Sequence, residues 1–258
     1  MNKEKNGTAP QSLLRALKLF ELLARNPPMS IVEISKELNV TRTTIYSLIT
    51  PLVELNYIEK DEDTGKYRLG YKFYEIGRQY RHYYPFVPAI EAGAKKLSMK
   101  MDCKVNAMVL KPKGKALVIA SVDMSQRTSP DLDAIVLVPT SACGKVLLAA
   151  LSDEELEDTL KTMEFVRLTD KSIVDADTLR EEVLRVRKQG YATELGELFA
   201  SRGCIAMPIR SMGGKVVAAM SVTDSLDRIV GEQKTLLDEL RDTSISISRV
   251  LGWNGLTS

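Results

Sequence analysis

The stretch from Ser30 to Leu55, SIVEISKELNVTRTTIYSLITPLVEL, leaves its backbone few choices. Ser30 and Glu33 have the S-x-x-E form of a capping box, in which each side chain satisfies an orphan amide of the other and fixes a helix start. Ile34 and Leu38 supply the buried stripe behind it. Asn39 tolerates the left-handed conformation and sits where a tight helix–helix turn needs such a residue. Thr41 then caps a further helix with apolar positions at Ile45, Leu48, Leu52 and Leu55. An earlier helix carries Leu13, Leu17, Phe20 and Ala24 on one face and stops before Pro27-Pro28. After these helices come two β-like runs, NYIEK and KYRLG, around the turn DEDTG. Three short helices and a hairpin make a winged helix-turn-helix, with small Ser35 where the second helix approaches the third. Pro51 falls inside the third helix, where it removes a hydrogen bond at a cost of ~3 kcal/mol, so a kink is expected there.

If Ile45, Leu48 and Leu52 face inward, Arg42, Thr43, Thr44, Tyr46 and Ser47 present the polar N-terminal end of the third helix. That end of a recognition helix meets base edges in the major groove of duplex DNA. Arginine pairs bidentately with guanine, while Thr and Tyr reach phosphates or a thymine methyl. In the wing, alternation turns Tyr67 and Leu69 inward and aims Lys66 and Arg68 at a phosphate backbone, a salt-dependent and sequence-blind contact. Basic residues only slightly outnumber acidic ones before Pro85, so the electrostatic footprint is weak and the spacing carries the reading.

From Gly70 to Tyr84 the pattern is that of a linker helix ending at Pro85 and Pro88. Beyond it, two hairpins stand out, VNAMVLKP-KGK-ALVIASV and CIAMPIRS-MGG-KVVAAMSVT. Helical patterns surround them at about 89–101, 142–151, 153–162, 175–189 and 231–253. This order predicts an α+β domain with an antiparallel sheet and flanking helices. The expected organisation is a flexible tail over 1–10, a DNA-binding domain over 11–70, a linker helix over 71–88 and a second domain over 89–255. The cysteines, Cys103, Cys143 and Cys204, lack C-x-x-C spacing, and His82 is the only histidine. No zinc site, disulfide framework, histidine triad or cofactor is called for. No window approaches the ~18–20 uninterrupted apolar residues of a membrane span, and the polar N-terminus has no signal core, so a cytoplasmic address is expected.

The segment PTSACGKVLLAAL, Pro139 to Leu151, poses the functional question for the second half. A phosphate loop would need a glycine five residues before Gly144 and a hydroxyl after Lys145; the chain has Pro139 and Val146. Cys143 lies near a helix start, which can lower a thiol pKa, but no base is evident beside it. What the segment supplies is a start with backbone N–H groups and small neighbours, favourable to an anionic group such as a carboxylate. A capped core helix burying Val146, Leu147 and Leu148 satisfies the same pattern.

SLLRALKLFELLA, MSIVEISKELNVTRTTIYSLITPLVELNYIEKD and GKYRLGYKFYEIG resemble the DNA-binding half of IclR-type transcriptional regulators. PTSACGKVLLAALSDEEL, LREEVLRVRKQGYATELGE and GCIAMPIRSMGGKVVAAMSVT resemble the effector-binding half. The resemblance covers nearly the whole chain in order. It implies a winged helix-turn-helix, a linker helix and a GAF-like domain that binds a small metabolite. The metabolite then modulates operator binding or a contact with RNA polymerase. It also implies homodimers or dimers of dimers on palindromic double-stranded operators. By the same resemblance the effector site uses main-chain N–H groups at Ser141 and Ala142 beside Cys143, together with Glu194, Cys204, Ser221 and Thr223. Ser221 and Thr223, two apart on one strand, share a face. Arg202 and Met220 are two further positions within reach of that lining. The family's acidic run before C-I-A is altered here to Glu194-Leu195-Gly196-Glu197, so effector identity does not transfer. The rival readings are a small-molecule-converting enzyme with a fused helical module and a redox sensor using Cys143 or Cys204.

Overall fold

Two helix caps and the turn between them organise the N-terminal unit of the computed structural model, which describes residues 10–26, 28–83, 85–124 and 134–255. The expected tail, apart from residue 10, and Tyr84 lie outside the described residues. The chain divides into a unit ending at Tyr84 and a second beginning at Pro85. In the first, α1 (Gln11–Arg25), α2 (Ile31–Glu37) and α3 (Arg42–Glu54) precede β1 (Ile58–Lys60), β2 (Tyr67–Leu69) and α4 (Lys72–Tyr83). Ser30 and Glu33 form the capping box, and the Thr41 hydroxyl accepts the amide of Thr44. Asn39 takes φ 51° in the turn between them, and the Ser35 hydroxyl closes that turn by donating to the Val40 carbonyl at 2.6 Å.

The apolar stripes differ from those the sequence predicts. Leu19 and Leu23 of α1 are fully buried, whereas Leu13 and Leu17 are about half exposed at 53% and 49%. Leucines occupy two sides of α1, and only the side carrying Leu19 and Leu23 meets Ile31, Ile34, Ile45, Ile49, Ile58 and Tyr67. In α3, Ile49 takes the buried place and Leu55 caps the helix end in solvent. α3 runs through Pro51 and ends at Glu54. Met29 exchanges backbone hydrogen bonds with Tyr67, tying the α1–α2 connection to the wing. Phe20 and Tyr57 both meet the ring of Phe73 edge-on, which seats the first turn of α4.

In the second unit, α5 (Phe86–Met101) leads into β3 (Lys104–Lys111) and β4 (Lys115–Asp123). After β5 (Ile135–Leu137) come α6 (Ala142–Ala149), α7 (Asp153–Thr162) and α8 (Ala176–Gln189). β6 (Ala192–Leu195), β7 (Arg202–Arg210) and β8 (Val216–Ser225) complete the sheet, followed by α9 (Leu226–Gly231) and α10 (Gln233–Val250). The helix expected over 231–253 is α10, which begins after Glu232 and ends at Val250, and the short α9 before it has no counterpart in that expectation. Six antiparallel strands lie in the order β5-β4-β3-β8-β7-β6. One face packs Val105, Ile205, Met220 and Val222 against Ile90, Leu97, Leu236 and Leu240 of α5 and α10. The other packs Met108, Val118, Ala206 and Ala219 against α6 and α8. β3, covered on both faces, lacks the simple apolar–polar alternation of a half-exposed strand.

α6 sits very close to the sheet side of its own approach turn. A Cβ on Gly144 would lie 2.6 Å from the Val138 carbonyl oxygen and 2.7 Å from the Val138 Cα. The next residue, Lys145, is 1% exposed, and its Nζ donates to Glu197 Oε1 at 2.6 Å and to the Thr193 carbonyl at 3.0 Å. Glu182 of α8 stands 3.8 Å from the same Nζ and also pairs with Arg185. Burial holds the ammonium below its ordinary pKa, opposed by Glu197. A buried ion pair contributes little net stability, but removing one partner strands the other.

Gly144→Ala should destabilise the chain by roughly 1–3 kcal/mol, because the clash is with backbone; chemical denaturation measures it. Lys145→Met should cost roughly 3–5 kcal/mol, and adding Glu197→Gln should recover part of that loss. A double variant no more stable than Lys145→Met would show that Glu197 is not the stranded group.

Candidate functional sites

The N-terminal end of α3 is the first site. Arg42, Thr43, Tyr46 and Ser47 are exposed there, and Tyr46 keeps 55% of its surface in solvent. Thr44 is half-buried, with its hydroxyl 2.9 Å from that of Thr41, so it belongs to the cap as much as to the exposed face. The Ser47 hydroxyl donates to the Thr43 carbonyl at 3.1 Å. In the wing, Tyr67 is buried and Lys66 half-buried, while Arg68 points outward. Arg68 is bridged across the hairpin to Glu59 at 3.1 Å, its register partner. Glu59 also accepts the Tyr71 amide, which fixes that carboxylate at the wing's base. This ion pair is absent from the alternation argument, which sees only which way a side chain points. A phosphate at Arg68 would compete with Glu59 in an exposed, high-dielectric pair of small worth.

The second site follows from strand register. Lys104 and Asn106 of β3 lie opposite Thr223 and Ser221 of β8. Thr223 lies opposite Cys204 of β7, which in turn lies opposite Glu194 of β6. Directly paired residues share a face, so these side chains form one polar strip on the α6 side of the sheet. α6 closes its inner end: the Ser141 hydroxyl lies 3.6 Å from Met108 Sδ, and the Cys143 thiol 3.6 Å from the Ala219 carbonyl. Ser141 caps the helix by accepting the Gly144 amide at 3.3 Å, and its carbonyl accepts that of Lys145 at 3.0 Å. The N–H groups of Ala142 and Cys143 are then the orphan donors of this helix start.

The strip brings together the seven expected effector residues but exposes few of them. Ser141, Ala142, Cys143, Glu194 and Ser221 are buried, and Cys204 is half-buried with its sulfur 3.1 Å from the Thr223 hydroxyl. Glu194 Oε1 accepts the amides of Glu197 and Leu198, so this carboxylate also holds the turn after β6. Burial pushes the Cys143 thiol up to about 12 and raises that of Cys204 as well. Neither supplies the thiolate that a nucleophile or redox sensor needs. Met220, expected within reach of the lining, points instead to the opposite face, into the cluster with Ile90 and Leu240, because it is one residue out of step with Ser221 on the strand.

Sequence reasoning missed Asn106. It is only 7% exposed, and its Oδ1 has no hydrogen-bond partner among the described residues. Buried amides are almost always bonded, so such an atom marks a place that something polar fills. An asparagine amid the apolar run of a central strand was the available signal. At the outer end of the strip lies an open cavity of about 320 Å³, lined among others by Lys104, Asp123, Arg202, Thr223, Asp224 and Ser225. Of the expected effector residues, Thr223 alone lines it.

Known proteins match along the whole of this arrangement. Residues 12–62 match the IclR helix-turn-helix domain, and residues 91–249 match the bacterial transcriptional regulator IclR C-terminal domain. The HTH-type transcriptional regulator XynR of Escherichia coli is 28% identical over 94% of this chain and 98% of its own length. The crystal structure of Thermotoga maritima IclR superposes with a TM-score of 0.78 at 24% identity, over 94% of this chain and 99% of that one. An IclR homologue from Microbacterium hydrocarbonoxydans, solved in complex with 4-hydroxybenzoate, gives a TM-score of 0.80 at 22% identity, over 93% and 98%. With both of its domains matched in order, the chain belongs to the IclR family of helix-turn-helix transcriptional regulators.

Proposed function

We propose that this regulator senses a small acid on the polar strip of its second unit and thereby alters how Arg42 and its neighbours engage an operator. The observation that carries the reading is the convergence on one strip of the Ala142 and Cys143 amides, the hydroxyls of Ser221 and Thr223 and the Asn106 Oδ1, which has no hydrogen-bond partner among the described residues. Helix-start amides favour an anion, and the relative bound to 4-hydroxybenzoate shows that this fold accommodates an acid. Burial of both thiols and the lack of a base beside them count against catalysis, so the site binds without turning over its ligand. Among the described residues no helix is long and apolar enough to cross a membrane, in keeping with a cytoplasmic regulator.

In this reading the protein acts as a homodimer or a dimer of dimers on a palindromic operator, with RNA polymerase as a further contact. α4 re-spaces the two recognition helices. The acid shifts their arrangement only by its difference in affinity for the two states. Arg42 reads a base, Thr43, Tyr46 and Ser47 support it, and Lys66 and Arg68 rest on phosphates.

Fluorescence anisotropy on duplexes tiling the upstream region of the protein's own gene tests this, with random duplex as control and two salt concentrations. Saturable binding to one duplex, well above random and retained at the higher salt, is expected. Arg42→Ala should weaken it by ~1–3 kcal/mol and relax sequence preference. An equal loss on specific and random DNA would reduce Arg42 to a phosphate contact.

A further inference from the structure

We infer that the effector is an elongated dicarboxylate, held at one end by the start of α6 and at the other by Arg202, which selects the second carboxylate. This rests on the strip being the effector site. Arg202 has the same parity on β7 as Cys204, so it extends the strip rather than the opposite face. It lines the 320 Å³ cavity and is only partly exposed.

The charges around it are already committed. Asp224 is bound by Arg228 at 2.7 Å, and Lys104 and Asp123 face each other in register on β3 and β4. Among the described residues no hydrogen bond or ion pair engages the Arg202 guanidinium, while its backbone amide donates to the Phe199 carbonyl. A planar, permanently charged fork aimed into a cavity is suited to a carboxylate.

The two ends are far apart. Cys143 touches the Ala219 carbonyl, while Arg202 lies opposite Ser225. Six residues of β8 separate these points, roughly 20 Å at ~3.3 Å per residue. A two- or three-carbon acid seated on the helix start does not reach Arg202 even when the arginine side chain extends inward. A longer chain does, and it passes Asn106, whose unpartnered Oδ1 would accept a hydrogen bond from a hydroxyl along the way.

Isothermal titration of the full chain with hexanedioate, heptanedioate and octanedioate, each beside its monoacid hexanoate, heptanoate or octanoate, tests the assignment. At least one diacid should bind about tenfold or more tightly than its monoacid. Arg202→Met should shrink that advantage to about twofold or less while leaving the monoacid unchanged. Ala142→Pro removes one helix-start donor at a position where proline is tolerated, after a Ser141 already extended at φ −134° and ψ 127°. It should weaken diacid and monoacid alike, with circular dichroism confirming the fold. Weakening by Ala142→Pro with no effect of Arg202→Met would overturn the role of Arg202 and leave the effector site standing. Binding indifferent to Ala142→Pro would remove the effector site itself. No diacid advantage in the unmodified chain, or no binding by either series, would overturn the dicarboxylate.

Discussion

The close seating of α6 on the sheet is the constraint on which the sensing half depends. Gly144 lets the helix approach the Val138 backbone, where any side chain would collide. That approach buries Val146, Leu147 and Leu148 against the apolar face of the sheet and sets the helix start at the end of the polar strip. Polar groups taken out of water in this way must find partners or become binding sites. Lys145 illustrates the first outcome, with Glu197, Glu182 and the Thr193 carbonyl around its ammonium. We propose that the Asn106 Oδ1 and the Ala142 and Cys143 amides take the second course.

The same buried environment sets the state of the two thiols beside the strip. Cysteine is reactive as a thiolate, and desolvation disfavours the thiolate at both Cys143 and Cys204. Their small, polarisable side chains instead pack beside the Ala219 carbonyl and the Thr223 hydroxyl. Glu194 is likewise occupied by the amides of the turn it closes, so its charge is partly neutralised by backbone dipoles rather than displayed to a ligand. The strip is therefore weakly charged at its inner end, where the helix start provides the field, and carries its full charges at the mouth.

In the DNA-binding unit the dominant forces are local. The capping box, the left-handed Asn39 and the Ser35–Val40 hydrogen bond set the angle between α2 and α3 before any long-range contact is made. The polar N-terminal face of α3 is exposed as a consequence, because Ile45 and Ile49 take the buried side. Tertiary packing decides finer matters here, such as which stripe of α1 is buried and which cross-strand partner Arg68 adopts.

What the sequence determined by itself is what depends on neighbours along the chain: the caps at Ser30 and Thr41, the turn at Asn39, the two long hairpins and the start of α6 at Ser141. Periodicity also placed Ser221 and Thr223 together on one face of β8, while Met220, expected within reach of them, belongs to the other face. The short helix α9 and the short strands β5 and β6 escaped it, since segments of so few residues carry little periodic signal. Only the tertiary structure decided which of two apolar sides of α1 is buried, that Glu194 Oε1 is engaged by its own turn, and that Asn106 Oδ1 has no hydrogen-bond partner among the described residues. It also decided that Arg202 faces a cavity while the nearby Asp224 is held by Arg228. These are facts about pairs of groups far apart in the chain, and hydrogen bonds and ion pairs at that range exist only once strand register and helix docking have brought both partners to the same place.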